Sequence, residues 1–280
     1  MQIAHAQDAS DSKSFRGQER QFRALLTGNE SRKDNFRLYL VHQVASVNIP
    51  RHKHNFDQVR MCLEGEPQNY GPDRWIQPGE LVYFPEGTPY GPEVSDSRRL
   101  SITLQFGGAS GSGFIGAARL KQAMQEMMDA GTFEKGKFKR VEDGQEIVQD
   151  AFEAAWEHVN ERALLYPEQR YGDPVHLIPG GFVWSKSDSH VGFDEKRMAV
   201  FPERSFEITM LRLAGGSEGR IEPRPGIQVG FLTEGEGNIG SAHVTCHSAF
   251  SLSPGETMTL RSAIGISLVL FRLPIFESDE

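Results

Sequence analysis

The strongest constraint on the fold of this chain lies between residues 52 and 90. The stretch opens on His52-Lys53-His54, passes Gln58 and reaches Gly65. After a turn-rich interval it continues with Pro78-Gly79, Pro85-Glu86-Gly87 and Tyr90. Side chains alternate across a β-strand with period two, so His52 and His54 leave the same face and can share one ion. The pair alone is a weak signal: with nine histidines, a chain of this length gives some His-x-His by chance about a quarter of the time. The ordered glycines and prolines behind it carry the information.

That series resembles the two motifs of the cupin family, Gly-x5-His-x-His-x3–4-Glu-x6-Gly and Gly-x5-Pro-x-Gly-x2-His. His52, His54 and Gly65 match the first motif, and Gly79, Pro85 and Gly87 match the second. Three positions depart: Gln58 stands for the usual Glu, Tyr90 for the third His, and the opening Gly of the first motif is absent. The resemblance implies a mainly β protein of double-stranded β-helix, or jelly-roll, barrels. It also implies a divalent metal ion, Fe(II) favoured and Mn, Ni or Zn admissible, held by His52, His54, Gln58 and Tyr90. Some cupins related to sugar-acid ring opening and polyketide cyclisation also carry Gln at the Glu position. The alternative is a metal-free barrel whose histidines hydrogen-bond in a polar cavity.

The rest of the chain reads as two β regions around a helical piece. Residues 1–20 are polar and read as a loose arm. A first barrel is expected over 21–110, with strands at 36–47, 81–84 and 99–106; in the last, Leu100, Ile102, Leu104 and Phe106 alternate with Ser101, Thr103 and Gln105. The glycine-rich run 107–113 reads as a flexible break before a helical linker, 111–173. There Ile115, Leu120, Ala123, Met124, Met127 and Met128 fit one helix face, with the methionines as core. Ile147, Val148, Ala151, Phe152, Ala155, Trp156 and Val159 fit a second, separated from the first by a hairpin-like piece at 131–140.

β character returns over 174–276. Aligning Gly235 with Gly65 sets Gln228 on Gln58, Arg224 on His54 and Glu222 on His52, and Pro254-Gly255-Glu256 repeats Pro78-Gly79-Glu80. This internal repeat implies a second, degenerate barrel without a metal set. The acidic tail 277–280 reads as a solvated terminus.

Composition limits the function. A formal charge of −8 gives no electrostatic case for nucleic acid or an anionic membrane, and two cysteines make no disulfide framework. With no apolar run of membrane-span length and no signal-peptide pattern in the first residues, a cytoplasmic protein is expected. Strand parity sends Arg60 and Cys62 inward with Gln58. Arg60 then either anchors a substrate carboxylate or pairs internally with Glu64 or Glu66, unless a bulge turns it out. Cys62 reads as a small buried hydrophobe. Trp75 and Tyr83 are candidates for a cavity mouth. Arg220, Glu222, Arg224 and Gln228 form either an anion site or a mutually paired row. His243, Cys246 and His247 lack a fourth partner for a metal, and His158 reads as a surface or interface residue.

The leading expectation is an Fe(II)-type dioxygenase acting on a small oxygen-rich, aromatic or carboxylate substrate, with Tyr90 as ligand or general acid/base and Arg60 as anchor. An isomerase, lyase or cyclase using the metal as a Lewis acid, and a non-catalytic small-ligand binder, are the alternatives. Exposed barrel edges and family habit suggest a homodimer.

Overall fold

Alternation of side chains along a few long strands decides the architecture. The structure, a computed structural model, describes residues 1–276 except positions 10, 15, 16, 31, 97 and 135. The acidic tail 277–280 lies outside the described residues. In the first half an antiparallel sheet runs in the spatial order Val175–Leu177, Leu81–Phe84, Asp57–Gly65, Arg99–Phe106, Phe36–Gln43, Gly17–Thr27 and Asp11–Ser14. Two short ribbons, Val47–Ile49 with Glu93–Ser95 and Gln68–Gly71 with Arg74–Ile76, complete the barrel. In the second half the path is Gln2–Ala4, Ala249–Leu252, Gln228–Ile239, Gly265–Arg272, Phe206–Ala214, Asp194–Phe201 and Ser185–Lys186, with Ser217–Ile221, Ala242–Thr245 and Met258–Ser262 completing it.

The two large sheets pack face to face. Leu38, Leu40, Val59, Met61, Tyr83, Ile102, Leu104 and Phe106 from one share a single buried core with Phe206, Ile208, Val229, Phe231, Val269 and Phe271 from the other. Each fully buried Leu, Val or Phe is worth roughly 1.5–3 kcal/mol, so neither sheet can stand with this face in water. The opposite faces line the barrel interiors. One interior holds Cys62, Tyr70, Ile76, Val82, Phe84 and Tyr90, and the other a larger apolar cluster including Leu211, Ile221, Leu232, Phe250 and Leu268.

The internal repeat is visible in the backbone. Each central strand carries a register shift two residues before its matched glycine, at Leu63 in one and Thr233 in the other. Both glycines adopt positive φ, +89° at Gly65 and +81° at Gly235, and each lies too close to a neighbouring carbonyl to accept a Cβ. A β-carbon on Gly65 would meet the Arg98 carbonyl oxygen at 2.5 Å.

Several expectations need correction, beginning with the start of the second barrel at 174: Val175–Leu177 pairs with the Leu81–Phe84 strand of the first sheet. The first residues are no loose arm: Gln2–Ala4 pairs with Ala249–Leu252 of the second barrel, and Ile3 packs on its interior cluster. An unpaired sheet edge and a half-buried isoleucine outweigh the polar composition around them. Ile147 and Val148 are not helical either. They lie in a three-stranded meander, Thr132–Glu134, Lys137–Glu142 and Gln145–Asp150, between helices α1 (Ala117–Glu126) and α2 (Ala151–Asn160). Asp150 sets the boundary: its carboxylate accepts from the Phe152 and Glu153 amides, capping α2. Leu120, Ala123, Met127, Phe138, Ala155 and Trp156 form the core of this insertion, while Met128 is exposed. The glycine-rich run 107–113 is tied down, with Ser110 donating to both oxygens of Glu86 and Ser112 to the Asn55 carbonyl. No helix among the described residues is long and apolar enough to cross a membrane.

Candidate metal centre in the first barrel

The two halves of the histidine stretch meet through their backbones. His52 and Tyr90 exchange two hydrogen bonds, at 3.0 and 2.9 Å, and the Gly87 amide donates to the His54 carbonyl at 2.8 Å. These bonds bring four sequence-predicted side chains to one point, the Tyr90 hydroxyl. His52 Nε2 lies 3.0 Å from it, His54 Nε2 3.4 Å, and Arg60 Nη2 donates to it at 2.8 Å. The Gln58 amide, oriented so that its polar atoms are satisfied, accepts from Arg60 Nε at 2.9 Å and Nη2 at 3.1 Å. The same corner of the amide is 3.4 Å from the Tyr90 oxygen.

The tautomer of His52 follows from its neighbours. Its Nδ1 sits 2.8 Å from the Pro50 carbonyl, an acceptor only, so Nδ1 carries the proton and Nε2 presents a lone pair to the cluster. His54 is fixed by stacking on Phe56, with centroids 4.4 Å apart and planes 7° off parallel. Phe56 in turn meets Phe114 and Phe152 of the insertion, which therefore shields one side of the cluster. Tyr90 is buried, while His52 and His54 are both half-buried.

Parity holds along the central strand. Gln58, Arg60 and Cys62 face inward and are opposed by Gln105, Thr103 and Ser101. The partner of Arg60 differs from both expected glutamates. It is Glu93, on the short strand Glu93–Ser95, accepting from Arg60 Nη1 at 2.6 Å and from Arg20 Nη2 at 2.7 Å. Burial works against the Glu93 carboxylate, but Arg60 and Arg20 overcome it and hold its pKa down at about 2. Arg60 is thus committed to Glu93 and Tyr90; it positions the phenol rather than standing open as a substrate anchor. Arg99 extends the network through Gln43, Ser95 and the Pro67 carbonyl, and burial lowers its pKa to about 10. Glu93, Arg20, Arg99 and Gln43 were not legible as site residues, because each comes from a different strand and none falls in a spaced motif.

Tyr83 and Trp75 do not line the mouth of the site. Tyr83 points into the core between the barrels, donating to Asp57 at 2.8 Å, and Trp75 is exposed beside an outer groove of about 760 Å³ lined also by Val47, Pro67 and Val94. Cys62 is a buried hydrophobe whose thiol pKa burial pushes up to about 11. His243, Cys246 and His247 stay apart, each turned to a different neighbour, and His158 ties α2 to Glu126 of α1 at 2.8 Å. Arg220 pairs with Glu222 at 2.6 Å, whereas Arg224 stands outside that pair.

The fit to a metal ion rests on the donor set. Ligands about 2.1 Å from one ion lie roughly 3.0–3.4 Å from each other, the range found between the Tyr90 oxygen and the two imidazole nitrogens. Two imidazoles, a phenol oxygen and an amide oxygen suit a borderline divalent ion, and a guanidinium donating to the phenol supports negative charge on it. Among the described residues no three His, Cys, Asp or Glu side chains gather as a metal site.

No family model matches the sequence, and no curated protein matches it at a significant level. Solved structures do. A protein of Nostoc punctiforme provisionally described as a dioxygenase aligns with TM-score 0.65 at 12% identity, over 97% of this chain and 81% of that one. Streptomyces albus HEPD, with 2-hydroxyethylphosphonate and Fe(II) bound, aligns with TM-score 0.58 at 11% identity over 99% and 77%. A mutant of Bacillus subtilis oxalate decarboxylase aligns with TM-score 0.58 at 9% identity over 99% and 78%. With two face-packed barrels, a repeated bulge-and-glycine signature and these neighbours, the chain has the two-barrel cupin fold.

Proposed function

We propose that the first barrel holds a divalent metal ion on His52 and His54, completed by Tyr90 and Gln58. We propose further that the protein is an Fe(II)-type dioxygenase of a small oxygen-rich, aromatic or carboxylate substrate. The observation that carries this reading is the convergence of the His52 and His54 Nε2 atoms on the Tyr90 oxygen. When bound, the ion supplies a Lewis-acidic, redox-active centre with positions for substrate oxygens and O2. The protein's own groups do the rest. The Pro50 carbonyl keeps the His52 lone pair directed inward. Arg60 holds the Tyr90 oxygen in place and stabilises charge on it, so that Tyr90 can keep or release a proton at Oη. Glu93 neutralises Arg60, and Phe56, packed on Phe114, holds the His54 ring in its stacked position.

The test is metal content of the protein purified without added metal, for wild type and the His52→Ala/His54→Ala double variant, followed by O2 uptake with candidate acids and phenols. Near-stoichiometric metal in the wild type, lost in the variant, supports the centre, and O2 uptake then supports the dioxygenase. Metal without O2 uptake favours the isomerase, lyase or cyclase reading. Equal, low metal in both refutes the centre. A second reading, a small-ligand binder without turnover, draws on the closed Arg60–Glu93–Tyr90 network, which needs no metal to satisfy its hydrogen bonds.

A further inference from the structure

We infer that the second barrel binds a small carboxylate anion at the place where the first barrel gathers its histidines. The two positions correspond by register. Gln58 opposes Gln105 across the first sheet, and Gln228 opposes Arg272 across the second. Each glutamine stands seven residues before its matched bulge glycine, and Arg224 precedes Gln228 by the four residues that separate His54 from Gln58. One architectural spot therefore carries imidazoles in one copy and guanidiniums in the other, which inverts its charge preference.

A cavity sits there, lined by His190, Glu207, Thr209, Arg224, Gln228 and Arg272. Its free space is about 20 Å³, room for one water-sized group such as a carboxylate oxygen. Its donors outnumber its free acceptors. Arg272 pairs with Glu207 at 2.5 Å, but Glu207 also serves Arg197 at 2.7 Å. Glu195, at the rim, accepts the Ser187 hydroxyl. Among the described residues the side chains of Arg224 and Thr209 make no hydrogen bond or ion pair. The Glu222 amide donates to His190 Nδ1 at 3.2 Å, which leaves the ring proton on Nε2 as a further donor. Burial, reinforced by Arg224, lowers the His190 pKa to about 4, so the ring is neutral at pH 7. Gln228 is oriented by donating to the Glu222 carbonyl at 3.0 Å.

Two guanidiniums exclude a metal cation from this spot. A half-buried guanidinium without a partner, beside a hydroxyl without one, is the arrangement a planar monoanion satisfies. The site is independent of any metal in the first barrel.

The experiment is thermal unfolding and calorimetric titration of the full chain with sodium formate and sodium acetate, against sodium chloride at equal ionic strength. Wild type, Arg224→Ala and Thr209→Val are compared. Wild type is expected to be stabilised by formate or acetate beyond the chloride control, with saturation in the millimolar range. Arg224→Ala should bind at least tenfold more weakly and, without ligand, melt no lower than wild type, because no contact is lost. Thr209→Val should bind severalfold more weakly. Equal stabilisation of wild type and Arg224→Ala overturns the proposal, as does no effect beyond chloride at tens of millimolar. Failure of Arg224→Ala to fold overturns it as well, since that residue would then be structural.

Discussion

Replacing Glu93 by glutamine tests whether the interior of the first barrel is organised by charge. Glu93 is fully buried and is held by Arg60 at 2.6 Å and Arg20 at 2.7 Å. The isosteric amide keeps the shape and removes the charge, leaving Arg60 buried beside Tyr90 without its anion. Removing one member of a buried pair costs about 3–5 kcal/mol. Protonation gives a second route to the same quantity: a carboxyl held at about 2 instead of its usual 4.5 contributes about 3 kcal/mol. The sign follows from the depressed pKa. The stability is fully present above about pH 4.5 and is lost as pH falls toward 2. At the entropy change expected for a chain of this length, the variant should melt about 5–10 °C lower at pH 7. Urea unfolding at pH 7 and at pH 3 is the assay: the gap between wild type and Glu93→Gln, about 3 kcal/mol at pH 7, should shrink by about 2 kcal/mol at pH 3. The Arg60→Met/Glu93→Leu double variant should recover part of the loss, since Arg60 is then not stranded while Arg20 still lacks its anion. A single variant within about 1 kcal/mol of wild type at pH 7, or a gap that does not narrow in acid, would refute the reasoning.

Two further predictions concern other parts of the fold. Asp57, buried between the barrels, accepts from the Glu86 amide and the Tyr83 hydroxyl; burial raises its pKa from 3.8 to about 7 despite the nearby Arg170. Here the sign is opposite: the folded state holds the extra proton, so stability should decline by up to about 4 kcal/mol as pH rises from 4 to 7. Asp57→Asn should flatten that slope in denaturant midpoints, and an unchanged slope would count against it. Gly65→Ala combines a left-handed φ with a Cβ 2.5 Å from the Arg98 oxygen, whereas Gly79→Ala, at φ +87°, meets nothing within 4 Å. Gly79→Ala should cost about 1–2 kcal/mol and Gly65→Ala clearly more, read from urea midpoints; equal costs would mean the close approach relaxes freely.

Residues 52–90 alone determined that the chain forms a barrel of this type, because Gly65, Gly79, Pro85 and Gly87 meet local demands for positive φ and tight turns; His52 and His54 lie between strands rather than on one strand face, and the bridge from His52 to Tyr90 gathers them. The inward set of Gln58, Arg60 and Cys62 was legible for the same reason, since parity is a property of one strand. The repeat at Gly235 and Gln228 was legible because spacing survives when side-chain chemistry does not. Local pattern could not show what comes from elsewhere in the chain. Glu93 reaches Arg60 from a strand 33 residues on, Ile3 joins the far barrel, and Arg224 is left without a partner only once Arg220 and Glu222 have paired. Those outcomes were decided by the tertiary structure, because a buried charge takes whichever counter-charge the closed barrel brings within reach.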